Sequence, residues 1–459
     1  MPSLFGTDGV RGVANQELTP ELAYILGRCG AHVLLQGCKD RRPRVLVGRD
    51  TRISGHMLEA ALTAGFTSMG ADVLSVGVLP TPGVAYLTRA WQLDAGVMIS
   101  ASHNPIEDNG IKFFSRDGVK LPDEVEAEID ALIGKAAAGG RLFLGPEDGL
   151  PRPVGEDVGR AAVCTDALDA YAEFLKGTID TDLSGLRIVV DCGHGAAYQV
   201  SPRVLRELGA EVISLYDEPD GTNINVRCGS TYPEVLAAAV KEHGADVGIA
   251  HDGDADRVIA VDEQGRIVDG DHIMVICGLY LLEQGALAEN KVAVTVYSNL
   301  GVKAALRAAG GDVVVTANGD RYVLAAMQQQ GLNLGGEQSG HVIFLDHNTT
   351  GDGVLTSLQM LRVLRKKGQP LSALADQLQK YPQVLRNVRV VDKTSWEENA
   401  RIKEAISLAE ERLGDSGRVF VRASGTEPLI RVMAEGPDHG LVEKVVGEVA
   451  EAIKEELGA

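Results

Sequence analysis

The chain has 459 residues, 45% of them apolar and 24% charged, with a formal net charge of −20. That length is too great for one core and sets two to four domains as the starting expectation. So acidic a chain is unsuited to nucleic acid or an anionic membrane surface as its main partner, and it can take a small anionic substrate only where basic groups are gathered locally.

No apolar run reaches bilayer-spanning length, and the first residues lack a basic segment followed by an apolar one. The six cysteines (Cys29, Cys38, Cys164, Cys192, Cys228, Cys277) are scattered without metal-ligand spacing, and several, in apolar segments, read as packed, reduced thiols. Together these features make the cytoplasm the expected compartment.

Near the N-terminus, Phe5-Gly6-Thr7-Asp8-Gly9-Val10-Arg11-Gly12 is a glycine-rich loop around Asp8 and Arg11, able to approach a ligand closely; taken alone, it reads equally as an ordinary Gly-rich turn. Thr19-Pro20 supplies an N-cap and a first-turn proline, and Leu22, Ile25, Leu26, Cys29 and Val33 follow at helical spacing. A buried strand over 45–47 ends in Gly48-Arg49-Asp50-Thr51-Arg52; a helix carrying Leu58, Ala61, Leu62 and Phe66 stops at Gly70, before a strand over 73–76.

The same helix–strand–helix–strand order recurs at 168–175, 188–190, 196–208 and 212–215. It appears again at 273–282, 292–294, 300–309 and 313–315. Three α/β units with mixed, mostly parallel sheets are therefore expected. A Gly-, Pro- and Ala-rich connection over 134–155 suggests one boundary, and Gly368-Gln369-Pro370 another. Beyond it, strands over 388–391, 418–421 and 430–433 and helices over 397–413 and 440–457 describe a smaller α+β domain. The expected division is 1–160, 161–257, 258–371 and 372–459.

Four loops carry candidate chemistry. Ser100-Ala101-Ser102-His103-Asn104-Pro105 follows the apolar run 95–99, so two hydroxyls and an imidazole sit at a strand end, where open α/β sheets bind ligands. The competing reading is a polar turn bonded to its own backbone. Asp252-Gly253-Asp254-Ala255-Asp256-Arg257 can wrap three carboxylates around one hard cation, and magnesium suits few carboxylates plus a phosphate oxygen. An EF-hand is rejected, because Arg257 stands where the turn glycine belongs and both flanks read as strands. In Gly335-Gly336-Glu337-Gln338-Ser339-Gly340-His341, Glu337 and Ser339 point the same way on extended backbone and offer an acceptor and a donor to a sugar; a plain hairpin turn is the alternative. Arg422-Ala423-Ser424-Gly425-Thr426-Glu427-Pro428, followed by Arg431, combines hydroxyls, N–H groups and two guanidinium forks, a nest for phosphate without the lysine and spacing of a nucleotide P-loop.

With these four motifs in this order, the whole chain resembles the α-D-phosphohexomutase family, and within it the bacterial members acting on glucosamine phosphates. The opening glycine-rich loop and Gln338 between Glu337 and Ser339 point to those members.

The resemblance implies three similar α/β domains and a C-terminal α+β domain around a central cleft. It implies interconversion of glucosamine 6-phosphate and glucosamine 1-phosphate on the route to cell-wall amino sugars, through phosphoserine at Ser102 and glucosamine 1,6-bisphosphate. It implies Mg2+ held by Asp252, Asp254, Asp256 and a Ser102 phosphate oxygen. Glu337 and Ser339 would read the sugar; Arg422, Ser424, Gly425, Thr426 and Arg431 would hold the idle phosphate. Arg257 would neutralise charge, and Arg11, Lys112 and His341 would line the cleft and assist charge or proton movement. A phosphosugar is the expected partner, without nucleic acid or membrane, and a homodimer is compatible. The alternatives are a phosphomannomutase or phosphoglucomutase of the same mechanism, a metal-dependent phosphatase, and a non-catalytic phosphosugar-binding protein.

Overall fold

The structure, a computed structural model, describes residues 4–6, 8–35, 41–138, 149–424 and 428–458. The chain forms two compact units, Met1–Tyr297 with Val313–Gln377, and Ser298–Asp312 with Leu378–Ala459.

The larger unit holds three mixed sheets. The first contains β1 (Phe5–Gly6), β2 (Gly9–Val13), β3 (Arg44–Arg49), β4 (Asp72–Val78), β5 (Ala95–Ile99), β6 (Asp108–Ser115) and β7 (Ala161–Val163), in the order β1-β2-β6-β5-β3-β4-β7. The second contains β8 (Arg187–Asp191), β9 (Glu211–Leu215), β10 (Val247–His251), β11 (Val258–Asp262) and β12 (Ile267–Val268), in the order β12-β11-β10-β8-β9. The third contains β13 (Lys291–Thr295), β14 (Asp312–Thr316), β15 (Leu334–Gly336) and β16 (Val342–Phe344), in the order β14-β13-β15-β16.

One arrangement recurs in all three. A strand lying parallel to its inner neighbour (β5 on β3, β10 on β8, β15 on β13) is followed in the chain by a strand that pairs with it antiparallel (β6, β11, β16). β5 and β10 are buried along their whole length, as expected of strands covered on both faces. The loop that joins each such pair emerges at the carboxyl end of the parallel strand, and these three loops are the serine, carboxylate and Glu337 motifs.

The smaller unit contains β17 (Gln383–Arg389), β18 (Arg418–Ala423) and β19 (Leu429–Glu435), in the order β17-β19-β18. Helices Ala400–Leu413 and His439–Leu457 pack on it through Ile402, Ala409, Val442, Val446 and Ile453. Helix Leu300–Ala308 belongs to this unit and is tied to it by the Leu300 N–H donating to Glu435 (2.7 Å).

Several expected bounds move. β11 and β12 complete the second sheet, so that sheet runs past residue 257, and β7 joins β4 of the first sheet beyond residue 160. The larger unit extends through Gln377, because the short helix Leu371–Ala375 stays with it. The helix expected over 196–208 spans Val200–Glu207, since the Ala196 N–H is committed to the Gly253 carbonyl (2.8 Å). Of the cysteines, Cys29, Cys192, Cys228 and Cys277 are buried and Cys164 is half-buried, all as free thiols; Cys38 lies outside the described residues.

Candidate active site

Three loops meet in the larger unit. In the first, Ser102 has φ +53°, a left-handed conformation that a non-glycine residue holds only when its surroundings fix it. Its side chain is almost wholly buried, and its Oγ donates to Asp252 Oδ2 at 2.5 Å. His103 Nδ1 stands 3.3 Å from the same Oγ. Burial, followed by the charges of Arg257 and Arg11, pushes the His103 imidazole down, so it is neutral at pH 7.

The second loop is the turn between β10 and β11. It curls through Ala255 at φ +55°, and Gly253 allows it to lie against the serine loop: a Cβ there would stand 2.4 Å from the Ser102 carbonyl oxygen. One carboxylate oxygen from each of Asp252, Asp254 and Asp256 lies within 4.8 Å of the others.

The partners of these carboxylates divide their oxygens. Asp254 Oδ2 accepts from Thr81 Oγ1 (2.5 Å) and Lys112 Nζ (2.8 Å), whereas its buried Oδ1 has no hydrogen-bond partner. Asp256 Oδ2 faces His341 Nδ1 at 3.4 Å, and its Oδ1 is again buried without a hydrogen bond. Burial, then the carboxylates of Asp256 and Asp254, push Asp252 well above the usual range. Burial would do the same to Asp256, but His341, Lys112 and Arg257 hold it below. Three clustered carboxylates, two of them with a buried oxygen that has no hydrogen bond, fit a hard divalent cation.

The third loop places Glu337 with Oε2 accepting from Ser339 Oγ (3.2 Å) and Oε1 accepting from the Gly319 N–H (3.1 Å). Gly340, at φ +91°, brings this loop against β11, where its carbonyl accepts the Val258 N–H at 3.1 Å. Gln338 donates through Nε2 to Asp269 (3.2 Å), the N-cap of helix Gly270–Glu283.

A cavity of about 410 Å³ opens among these loops, walled in part by Asp8, Arg11, His103, Lys120, Asp256, Arg257, Asp320, Glu337 and His341. Arg11 pairs with Asp8 and reaches Asn104 Oδ1 at 3.4 Å. Lys112, expected at the cleft surface, is instead buried, bridging Asp254 and Asp8 (2.9 Å); burial works against its ammonium, but these two carboxylates hold it above its ordinary value. His341 is also buried: Gly351 N–H donates to its Nε2 at 3.0 Å, leaving Nδ1 to Asp256.

Sequence reading missed Asp8, Lys120 and Asp320 as a connected set, in which Lys120 bridges the other two. It also missed Thr81, at the first turn of helix Thr81–Ala90. The signal available for Thr81 was Thr-Pro after a strand; nothing local marked Lys120.

In the smaller unit, Arg422 on β18 stands directly opposite Arg431 on β19, so both project from one face. Ser424 is buried, and its carbonyl accepts from Lys393 Nζ at 2.8 Å. Gly425 and Thr426 lie outside the described residues.

Four family models match the chain in succession. They are the phosphoglucomutase/phosphomannomutase alpha/beta/alpha domains I, II and III over residues 2–139, 169–265 and 269–381, and the C-terminal domain over 385–452. The phosphoglucosamine mutase of Heliobacterium modesticaldum is 57% identical over 461 residues, covering 99% of this chain and 100% of that protein. That of Geobacillus thermodenitrificans is 55% identical over 458 residues and is covered completely, as is this chain. A crystal structure of a phosphoglucomutase/phosphomannomutase family protein from Burkholderia thailandensis matches with a TM-score of 0.80 at 25% identity, over 99% of this chain and 97% of that one. The N-acetylphosphoglucosamine mutase of Aspergillus fumigatus, in complex with GlcNAc-6P and magnesium, shares the fold with a TM-score of 0.63 at 19% identity, over 98% and 95% of the two chains.

Proposed function

The chain belongs to the phosphoglucomutase/phosphomannomutase family, and we propose, on that premise, how its residues carry out the reaction. It is an isomerase that interconverts glucosamine 6-phosphate and glucosamine 1-phosphate, as the names of its whole-length relatives indicate.

Phosphoserine at Ser102 donates its phosphoryl group to the free sugar hydroxyl. The P–O bond to Oγ breaks as the P–O bond to the sugar forms, and the proton lost by the sugar hydroxyl ends on the departing Ser102 Oγ, restoring the serine hydroxyl. The resulting 1,6-bisphosphate turns over, and its other phosphate returns to Oγ. The observation that carries this mechanism is the Ser102 hydroxyl 2.5 Å from Asp252, beside the converging oxygens of Asp254 and Asp256. Those three carboxylates and a Ser102 phosphate oxygen would hold Mg2+, which neutralises charge on the transferring group.

Arg257 and Arg11 add positive charge from the cavity wall, and Lys112 does so from behind Asp254. His341, with Nδ1 3.4 Å from Asp256 Oδ2, assists charge or proton movement. Glu337 and Ser339 hold the sugar. Arg422, Ser424, Gly425, Thr426 and Arg431 hold the phosphate that is not reacting. The same reading makes the enzyme cytoplasmic, acting on a free phosphosugar without nucleic acid or membrane, with sedimentation to test a homodimer; among the described residues no helix is long and apolar enough to cross a membrane.

Turnover of glucosamine, glucose and mannose phosphates, measured side by side with inorganic phosphate release, tests this function. Isomer formation from glucosamine phosphate without release supports it. Preference for glucose or mannose phosphate overturns the substrate assignment, and stoichiometric phosphate release makes the enzyme a phosphatase.

A further inference from the structure

Behind the serine loop lies an ion pair that does not line the cavity. Asp50 and Arg52 follow β3, and both side chains are fully buried. Arg52 Nε donates to Asp50 Oδ2 at 2.9 Å. Its Nη2 donates to the carbonyls of Ser102 (3.0 Å) and Asn104 (2.8 Å), and its Nη1 to those of Asp108 (3.1 Å) and Pro105. One guanidinium thus gathers four carbonyls of a single loop. The other end of the pair works through Ser100: its Oγ donates to Asp50 Oδ2 (2.6 Å) and accepts the Ser102 N–H (2.9 Å). Asn225, from the segment between β9 and β10, adds its Nδ2 to the Ser102 carbonyl at 2.9 Å.

We infer that Asp50, Arg52 and Ser100 are positioning residues for phosphoryl transfer: they fix the direction in which Ser102 presents its oxygen. The inference rests on Ser102 as the phosphoryl carrier. A buried ion pair is weak evidence for stability by itself, because its desolvation cost is large. Here the pair performs geometry that a hydrophobic replacement could not. Both main-chain groups of Ser102 are held, its N–H by Ser100 and its carbonyl by Arg52 and Asn225, and the residue sits at φ +53°. The carbonyl dipoles are drawn to the rear of the loop, away from the face where a phosphoryl group carries negative charge. Oγ is left directed at the carboxylate loop. Lysine has no planar fork and cannot reach the same set of carbonyls.

The test compares Ser100→Ala and Arg52→Lys with the unaltered enzyme. Ser100→Ala removes one hydroxyl and leaves the ion pair, so it keeps the question open should Arg52→Lys fail to fold. Each protein is phosphorylated, the phosphate on Ser102 is counted by peptide mass, and transfer to saturating sugar phosphate is followed in a single turnover per phosphorylated site. Substrate dissociation constants and thermal unfolding are measured in parallel.

The expected result is transfer slowed about tenfold in Ser100→Ala and roughly a hundredfold in Arg52→Lys, the scale of a misplaced reacting atom, with substrate affinity within about twofold of the unaltered enzyme. Transfer at the unaltered rate per phosphorylated site overturns the inference. So does a loss accounted for entirely by unfolded protein, which would make the pair structural. If the unaltered enzyme turns over without phosphate on Ser102, it is the phosphoserine mechanism that falls.

Discussion

At the scale of single residues, the proposed mechanism divides each group's atoms between support and chemistry. Asp254 Oδ2 accepts from Thr81 and Lys112, whereas its buried Oδ1 has no hydrogen bond and is the oxygen the proposed cation would take. Asp254→Asn therefore removes charge from the cation site while leaving the Glu337 loop untouched, and Lys112 retains Asp8 as a partner. Magnesium titrations of both activity and direct metal binding should move to higher concentration, with substrate affinity little changed. A normal magnesium titration with weakened sugar binding would exchange the roles of the two loops. Thr81→Val keeps the shape and removes only the hydroxyl on Oδ2; loss of such a supporting partner costs about tenfold or more in metal affinity. Ser102→Ala should abolish turnover and phosphopeptide formation while circular dichroism and thermal unfolding stay near the unaltered values, since alanine inherits the same φ at similar cost. Full turnover in that variant would remove Ser102 as the carrier.

At the scale of elements, the three loops share one place: each joins a parallel strand to its antiparallel return. The motifs and most flanking strands were legible because buried strands of four or five apolar residues, such as those over 247–251 and 258–262, are conspicuous beside Asp- and Gly-rich turns. Helix Gly353–Lys367 was not, because it is buried on nearly all sides and carries Thr356, Ser357 and Gln359 inward, so no amphipathic stripe marks it. β6 was hidden by Asn109 and Lys112, polar residues whose partners lie far away in sequence. The buried helix also carries a pH signature. Its N-cap, Asp352, accepts from Leu355 N–H (3.0 Å) and from the Tyr171 hydroxyl (2.8 Å), yet burial pushes it up to about 6. In the unfolded chain it titrates near 3.9, so between about pH 4 and 6 the folded form binds the extra proton. Its contribution to stability thus falls as pH rises through that window and is constant above it. Asp352→Asn should flatten this part of the profile by up to roughly 3 kcal/mol, read by urea unfolding at pH 4.5 and 7. Parallel profiles for the two proteins would show that Asp352 does not titrate there.

At the scale of the whole molecule, the proposed function requires a chain of net charge −20 to gather cations where phosphate is handled. In the larger unit these are Arg11, Lys112, Lys120 and Arg257. In the smaller unit they are Arg422 and Arg431. The sequence displayed the arginines inside their motifs, but it could not show that Arg422 and Arg431 stand opposite each other, because a cross-strand pair depends on register. On the proposed reading, the two guanidinium groups, opposite each other across β18 and β19, are placed to grip one phosphate together. A mutase acts on phosphate at either end of its sugar, so a fixed clamp must hold whichever phosphate is idle. Arg422→Ala should raise the substrate KM and increase escape of the bisphosphate. A charge-assisted, forked contact contributes about 1.5–3 kcal/mol, so affinity should fall by roughly tenfold or more. Added glucosamine 1,6-bisphosphate should partly restore turnover, because an escaped intermediate leaves Ser102 without its phosphate and the added compound returns it. An Arg422→Ala enzyme with unaltered KM and unaltered bisphosphate requirement would remove this residue from the clamp.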